Sequence, residues 1–389
     1  MILIMNKFLK KREQKLLRSI REQNIKPMRK LTTINITMTL IIAFIASAVL
    51  AQPVTTPRVP SPAAKVLQTI GISTVTVTYS RPSVKGREVW GKLVPYGWNK
   101  QQFGLGNDAP WRAGANENTL ITFSHPAKFA GQSVPAGTYG LFFVINQDDT
   151  GEVILSKDTK SWGSFFYDAK NDQLRSKIQI RNNNHVEVLT YDFINLTKNS
   201  GELVLNFEKK QFPVVIEFAT DEIVMANAAD ELKGVQGFTA QGFNSAANYA
   251  LANKTNLDQA LTWIDQAIAQ NPTFNSKNTK SQILKALGKN DEAEKVLNDA
   301  IAAATEPELN LYGYALLNQK NFDKGIEMLT LNTQRFPKSA NAWDSLGEGY
   351  ALKGDKINAI KYFKKCLTLN PTPFVRANSE KYLKEFGAM

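Results

Sequence analysis

Residues 343–371, WDSLGEGYALKGDKINAIKYFKKCLTLNP, constrain the fold more than any other part of the chain. Trp343, Leu346, Gly347 and Tyr350 fall on one helical face. Ala359, Phe363 and Cys366 fall on the face of a second helix. Gly347 and Ala359 are small where two antiparallel helices would cross, and the large side chains fill the space around them. Residues 353–356, Lys-Gly-Asp-Lys, supply the turn, and Pro371 stops the second helix. Cys366 reads as a small buried apolar residue.

The same spacing recurs upstream. Ala260, Ile264, Ala267 and Pro272 repeat the second-helix pattern, and Ala293, Leu297 and Ala300 follow it. Ala260 to Ala293 is 33 residues, and Gly325 to Ala359 is 34. Gly313, Leu329 and Pro337 belong to a third unit. Residues 343–371 thus resemble a tetratricopeptide repeat, with about four repeats over 241–371. The first three are degenerate: Lys280 and Ser281 stand where the last has Leu346 and Gly347. A helix over 372–389 is expected to cap the stack, because a solenoid must hide its last apolar face. The resemblance implies a protein or peptide partner held along the first helices. In this register Tyr249, Gln282, Asn310, Tyr314, Asn341, Asp344 and Glu348 face that groove, making it polar and partly acidic. It lacks a Lys/Arg cluster to clamp a terminal carboxylate. The same residues also fit a solvated inner surface, or a face packed on the chain's own other domain.

Upstream of the repeats the chain is β-rich. Residues 73–79, 119–123, 186–191 and 202–207 alternate apolar and polar side chains, and 139–145 and 153–155 are apolar runs. With 212–218 they predict eight to ten short strands in an antiparallel sandwich or jelly-roll-like barrel over 63–219. Residues 220–240 read as a linking helix and loop. The motifs 61–63 (SPA), 66–71 (VLQTIG), 79–87 (YSRPSVKGR), 93–97 (LVPYG), 111–117 (WRAGANE) and 135–139 (PAGTY) resemble DUF2911, a family of exported bacterial proteins common in Bacteroidetes and often joined to such repeats. That resemblance implies a β-rich exported domain and carries no activity with it. Residues 98–110 make a longer excursion than compact members have.

Two of these motifs admit a binding reading, since binding residues concentrate in loops. Arg81, Lys85, Arg87 and Arg112 suit a small anionic ligand. Trp90 and Trp111 suit a sugar ring, with Asn116 and Glu117 on its hydroxyls. The structural reading is that Arg112 pairs with Glu117, Asn116 caps a turn and the tryptophans are core. Catalytic templates are weaker: no G-x-S-x-G, H-E-x-x-H or phosphate loop is present. His125 beside Ser124, and Glu117 with Asp168 as a carboxylate pair, are the remaining enzymatic features. They leave an envelope-associated hydrolase, with its site in loops 80–87 and 111–117, as the alternative to a binding protein. One cysteine and two histidines give no basis for a disulfide scaffold or a metal centre, and no cofactor is expected.

The net charge of +12 is unevenly placed. Residues 1–51 hold ten Lys/Arg against two Asp/Glu. This argues against nucleic acid as partner, because the excess lies in a segment with the pattern of a secretory leader. Met28-Arg29-Lys30 opens it, 39–49 (TLIIAFIASAV) is its apolar run, and cleavage is expected after Ala51, with Ala46-Ser47-Ala48 as a second site. Met28 then reads as the true start, and 52–62 as a linker. The competing reading is a membrane anchor with a basic tail, which the short apolar run disfavours. Export to the periplasm or beyond is the expectation, with no stable membrane span.

Overall fold

A computed structural model of the chain describes residues 10–12, 14–15, 17–18 and 60–389. The leader pattern at 28–51 therefore lies outside the described residues. Residues 63–389 form one compact unit.

Its first half contains twelve strands among the described residues. They are β1 (Ala63–Ile70), β2 (Ser73–Ser80), β3 (Asn99–Lys100), β4 (Asp108–Ala109), β5 (Leu120–Phe123) and β6 (Ala127–Phe129). There follow β7 (Gln132–Val134), β8 (Gly137–Ile145), β9 (Thr150–Ser156), β10 (Asp172–Gln179), β11 (Arg181–Ile194) and β12 (Ser200–Glu217). One large sheet runs β1-β2-β5-β8-β9-β10 and a second β11-β12-β6-β7, while β3 pairs only with β4, and every pairing is antiparallel. The two large sheets enclose a single core. β2 shows why: Val75, Val77 and Tyr79 point inward and are buried, while the intervening threonines face out.

β8 and β9 are apolar on both faces for a separate reason. Leu141, Phe143, Val153 and Leu155 enter the main core. Phe142, Val144 and Ile154 point the other way, into a second small core closed by Ala109, Tyr167 and Trp98. The long 98–110 excursion is thus a cover over the outer face of the six-stranded sheet, and double cover is what a continuous apolar strand requires. The two strands expected at 202–207 and 212–218 are one strand, β12, in which Glu208 takes a left-handed φ of 52°. The ladder with β11 slips at Val186, which pairs with that residue.

The second half is helical. α1 (Thr220–Glu231) leads into α2 (Ala240–Asn253), α3 (Leu257–Gln270), α4 (Phe274–Ala286) and α5 (Asn290–Ala303). Next come α6 (Glu306–Asn318), α7 (Phe322–Arg335), α8 (Ala340–Lys353), α9 (Lys356–Leu367) and α10 (Pro373–Glu385). From α2 to α9 these pack as four consecutive hairpins, and α10 lies over the last. Thr239, Ser339 and Asp355 accept hydrogen bonds from the first-turn amides of their helices, and capping boxes start α4 and α6. In the last hairpin Ala359, Phe363 and Cys366 are fully buried, and burial pushes the Cys366 thiol pKa up. A Cβ on Gly347 would lie 2.8 Å from the Phe363 ring. The degenerate repeat replaces that contact with a bond. Ser281, at the equivalent crossing, donates its buried hydroxyl to Ala293 O at 2.7 Å.

The sandwich and the stack are joined at the β11–β12 turn. Lys198 Nζ donates to Asp221 Oδ1 and Asn253 Oδ1, both at 2.6 Å. Tyr249 Oη donates to the same Asp221 oxygen at 2.7 Å. Thr220 Oγ1 donates to Lys198 O at 3.3 Å, and Ile223 packs on the sandwich core. Hydrogen bonds from Lys198 and then Tyr249 hold the Asp221 carboxyl below its usual pKa.

Candidate functional site

The sandwich loops come together, but through their apolar side chains. Trp90 and Trp111 meet edge to face with centroids 5.8 Å apart, and both pack against Phe212 in the core. Trp90 Nε1 donates to Glu208 Oε2 at 3.1 Å, and the Trp111 backbone pairs with Phe143. The tryptophans are thus core residues and offer no open stacking platform.

The three arginines are spent mainly on backbone carbonyls. Arg81 Nε donates to Leu189 O at 3.1 Å and Nη2 to Thr190 Oγ1 at 2.8 Å. Arg87 bonds Val84 O and Ser83 O of its own turn. The exposed Lys85 sits at φ 49°, and its backbone N donates to Glu187 Oε1 at 2.9 Å. Arg112 Nη1 donates to Asn116 O at 2.7 Å, and its guanidinium lies 5.5 Å from the Phe165 ring centre. A Cβ on Gly163 would fall 2.3 Å from Arg112 Nη1, so the absence of a side chain there lets the arginine pass. Burial pulls the Arg112 pKa down. Asn116 takes a left-handed φ of 60°, and both Asn116 and Glu117 are half-buried. Each arginine therefore fixes a different piece of chain: Arg81 holds β11, Arg87 its own turn, Arg112 the 111–117 loop.

The enzymatic features fare similarly. Ser124 Oγ lies 2.9 Å from His125 Nδ1 on an exposed turn, but the same hydroxyl accepts from Thr74 N at 2.8 Å. Asp168 caps a short helical turn by accepting from Lys170 N at 3.0 Å.

Along the first helices the expected groove residues divide into two sets. Tyr249 belongs to the joint with the sandwich. Gln282 is exposed, and Asn310 is half-buried with its Oδ1 lacking a hydrogen-bond partner. Asn341 Nδ2 donates to Glu306 Oε1 at 3.0 Å. The remaining three form a chain of hydrogen bonds that ends at α10. Tyr314 donates its hydroxyl to Glu348 Oε2, and Asn378 Nδ2 donates to Glu348 Oε1 at 3.2 Å and Asp344 Oδ2 at 2.8 Å. Ser379 donates to Asp344 Oδ1. Asp344 is only 5% exposed, and burial raises its carboxyl pKa. The expected acidity is therefore taken up inside the stack by α10 instead of facing an open groove.

The open part of the groove lies at the other end. A cleft of about 610 Å³ opens between α2 and the turn joining α3 to α4, lined by amides that include Asn244, Asn248, Gln270, Asn271 and Asn275. Each amide offers donors and an acceptor, the complement of an extended main chain. Composition did not single these out, and spacing marks only Asn244, as one of a series along the first helices. Asn244 and Asn278 are 34 residues apart, as are Asn310 and Asp344, and Asp344 and Asn378. A second feature missed at the sequence level is an exposed apolar cluster on the cover of the sandwich. Phe103, Leu105, Trp162 and Phe166 are each at least 40% exposed, with the rings of Phe103 and Phe166 6.0 Å apart.

Residues 61–216 match the family described as "Protein of unknown function (DUF2911)", and residues 275–306 and 340–373 match the tetratricopeptide repeat. The chain carries a DUF2911 domain followed by tetratricopeptide repeats. Such repeats are protein-interaction modules. Superkiller protein 3 of Schizosaccharomyces pombe is 41% identical over 59 residues, which is 15% of this chain and 4% of that protein. Among solved structures, YrrB, described as a TPR protein with an unusual peptide-binding site, is 18% identical with a TM-score of 0.25, over 41% of this chain and 84% of its own. PilF of Pseudomonas aeruginosa is 20% identical with a TM-score of 0.25, over 39% of this chain and 71% of its own. At these scores neither structure carries an argument about this one. Among the described residues no helix is long and apolar enough to cross a membrane.

Proposed function

We infer that this is an exported binding protein. Its repeats hold an extended segment of a protein partner along the amide-lined end of the groove, and its sandwich serves as the rigid body on which the stack is mounted. The amide cleft between α2 and the α3–α4 turn carries this reading, because it is open, polar and nearly free of charge. The joint at Lys198, Asp221 and Tyr249 supports a fixed mounting. Export rests on the leader pattern at 28–51 and agrees with a chain that holds one buried cysteine. The three arginines of the sandwich loops are engaged with backbone groups, which favours a structural role for loops 80–87 and 111–117 over a small-ligand site.

The test is affinity capture from envelope extract with the intact chain and with Asn248→Arg and Gln282→Arg variants. A partner retained by the native chain and lost with both variants supports the reading. Identical partners for all three would overturn it. Sequencing the amino terminus of the mature protein tests export, with Gln52 as the expected first residue.

A further inference from the structure

The stack has a second face with a different chemistry. Residues 353–389 hold eight Lys/Arg against three Asp/Glu, whereas 52–352 hold 29 against 30. The basic excess beyond the leader is thus concentrated at the end of the stack. α9 contributes four lysines and no carboxylate. Lys361, Lys364 and Lys365 are exposed, and among the described residues none of the three is in an ion pair.

These lysines rim a groove of about 600 Å³ between α7 and α9. Its floor holds Trp343 and Tyr362, stacked with centroids 5.9 Å apart at 26°. Lys365 Nζ lies 5.8 Å from the Trp343 ring centre and Lys361 Nζ 5.1 Å from that of Tyr362. Trp343 Nε1 donates to Pro337 O at 2.9 Å, which fixes the ring. Trp343 follows Asn341 by two positions, a rotation of about 200° around the helix. The groove therefore lies on the side of α8 away from Asn341 and the amide-lined surface.

We propose that this groove docks an acidic segment of a partner protein, a short run of Asp and Glu carrying one aromatic or aliphatic side chain. That side chain lies against Trp343 and Tyr362, and the carboxylates meet Lys361, Lys364 and Lys365. Charge complementarity selects the occupant, and shape narrows it further. The two aromatic rings are half-buried between lysine side chains, a target the size of one side chain of a peptide. The rim is lysine, a set of separate point charges suited to carboxylates spaced along a chain, and the lining has no arginine fork for bidentate phosphate recognition. The site is independent of the amide cleft, so either can fail while the other stands.

The full-length protein would be titrated, by fluorescence anisotropy, into a labelled peptide of mixed Glu and Asp with one central Phe. Phosphatidylglycerol vesicles and a single-stranded oligodeoxynucleotide would be run alongside. Saturable peptide binding is expected, weaker when Phe is replaced by Ser and weaker at about 0.5 M salt. The K361E/K364E/K365E variant should lose roughly tenfold or more, and Lys364→Glu alone, at an exposed position that leaves folding intact, about threefold. No saturable binding, equal binding by both variants, or tighter binding of vesicles or oligonucleotide through the same lysines would overturn the proposal.

Discussion

Gly347→Ala tests the helix crossing that defines the last repeat. The added Cβ would lie 2.8 Å from two carbons of the Phe363 ring, closer than packed carbons approach. Phe363 cannot retreat, because it is fully buried and its other face stacks on Tyr382 at 4.9 Å and 9°. Overpacking of this kind costs about 1–3 kcal/mol. Against it stands a gain of about 1 kcal/mol from replacing glycine inside a helix. The net expectation is a loss of about 0–2 kcal/mol. In a Phe363→Ala background the ring is gone and only the helix gain remains, so the same substitution should stabilise by up to about 1 kcal/mol. The sign reversal is the signature, and it is independent of the roughly 3–5 kcal/mol that Phe363→Ala costs by itself. Native-state hydrogen exchange of the α8 and α9 amides reads this locally, which matters because sandwich and stack need not unfold together. An effect of the same sign in both backgrounds would refute the close crossing.

Three further outcomes follow from other contacts. Ser281→Ala removes the buried bond to Ala293 O and should cost about 1 kcal/mol in the exchange of α4 and α5, whereas Ser281→Gly should also open the crossing. Asp221→Asn weakens the joint: the pKa of Asp221 is lowered in the fold, so its contribution is present above the unfolded carboxylate value near about 4 and is lost as pH falls through the folded value. Limited proteolysis near residue 219 should accelerate on acidification in the native chain and be faster in the variant already at neutral pH. Asp344 has the opposite sign. Its pKa is raised, so the burial penalty is absent below the unfolded value and complete above the folded one. The docking of α10 should weaken as pH rises through that window, and Asp344→Asn should remove this dependence in α10 exchange corrected for intrinsic rate.

What the sequence disclosed was mostly local. The Gly347, Ala359 and Phe363 pattern specifies a helix pair because all three positions meet at one crossing, and β2 is legible because its alternation is uninterrupted. Non-local facts were not legible. Nothing in 202–218 announces that Glu208 adopts a left-handed conformation and keeps the two expected strands in one. The apolar outer face of β8 looks like core, yet it is covered by residues 98–110 folding back from a distant loop. The arginines of loops 80–87 and 111–117 look available in sequence because their acceptors are backbone carbonyls, which any residue type supplies. Asp344 reads as a groove residue until α10 is laid over it, and the partner side chains Asn378 and Ser379 come from beyond the repeat that suggested the groove.

The most direct test of the central claim is site-specific photo-crosslinking in the producing cell, with the probe placed in turn at Asn248, at Gln282 and at the exposed Leu67 of β1. A crosslink to one protein from Asn248 and Gln282, absent from Leu67, is the expected result. The same product from Leu67, or no protein crosslink at either groove position, would contradict the account.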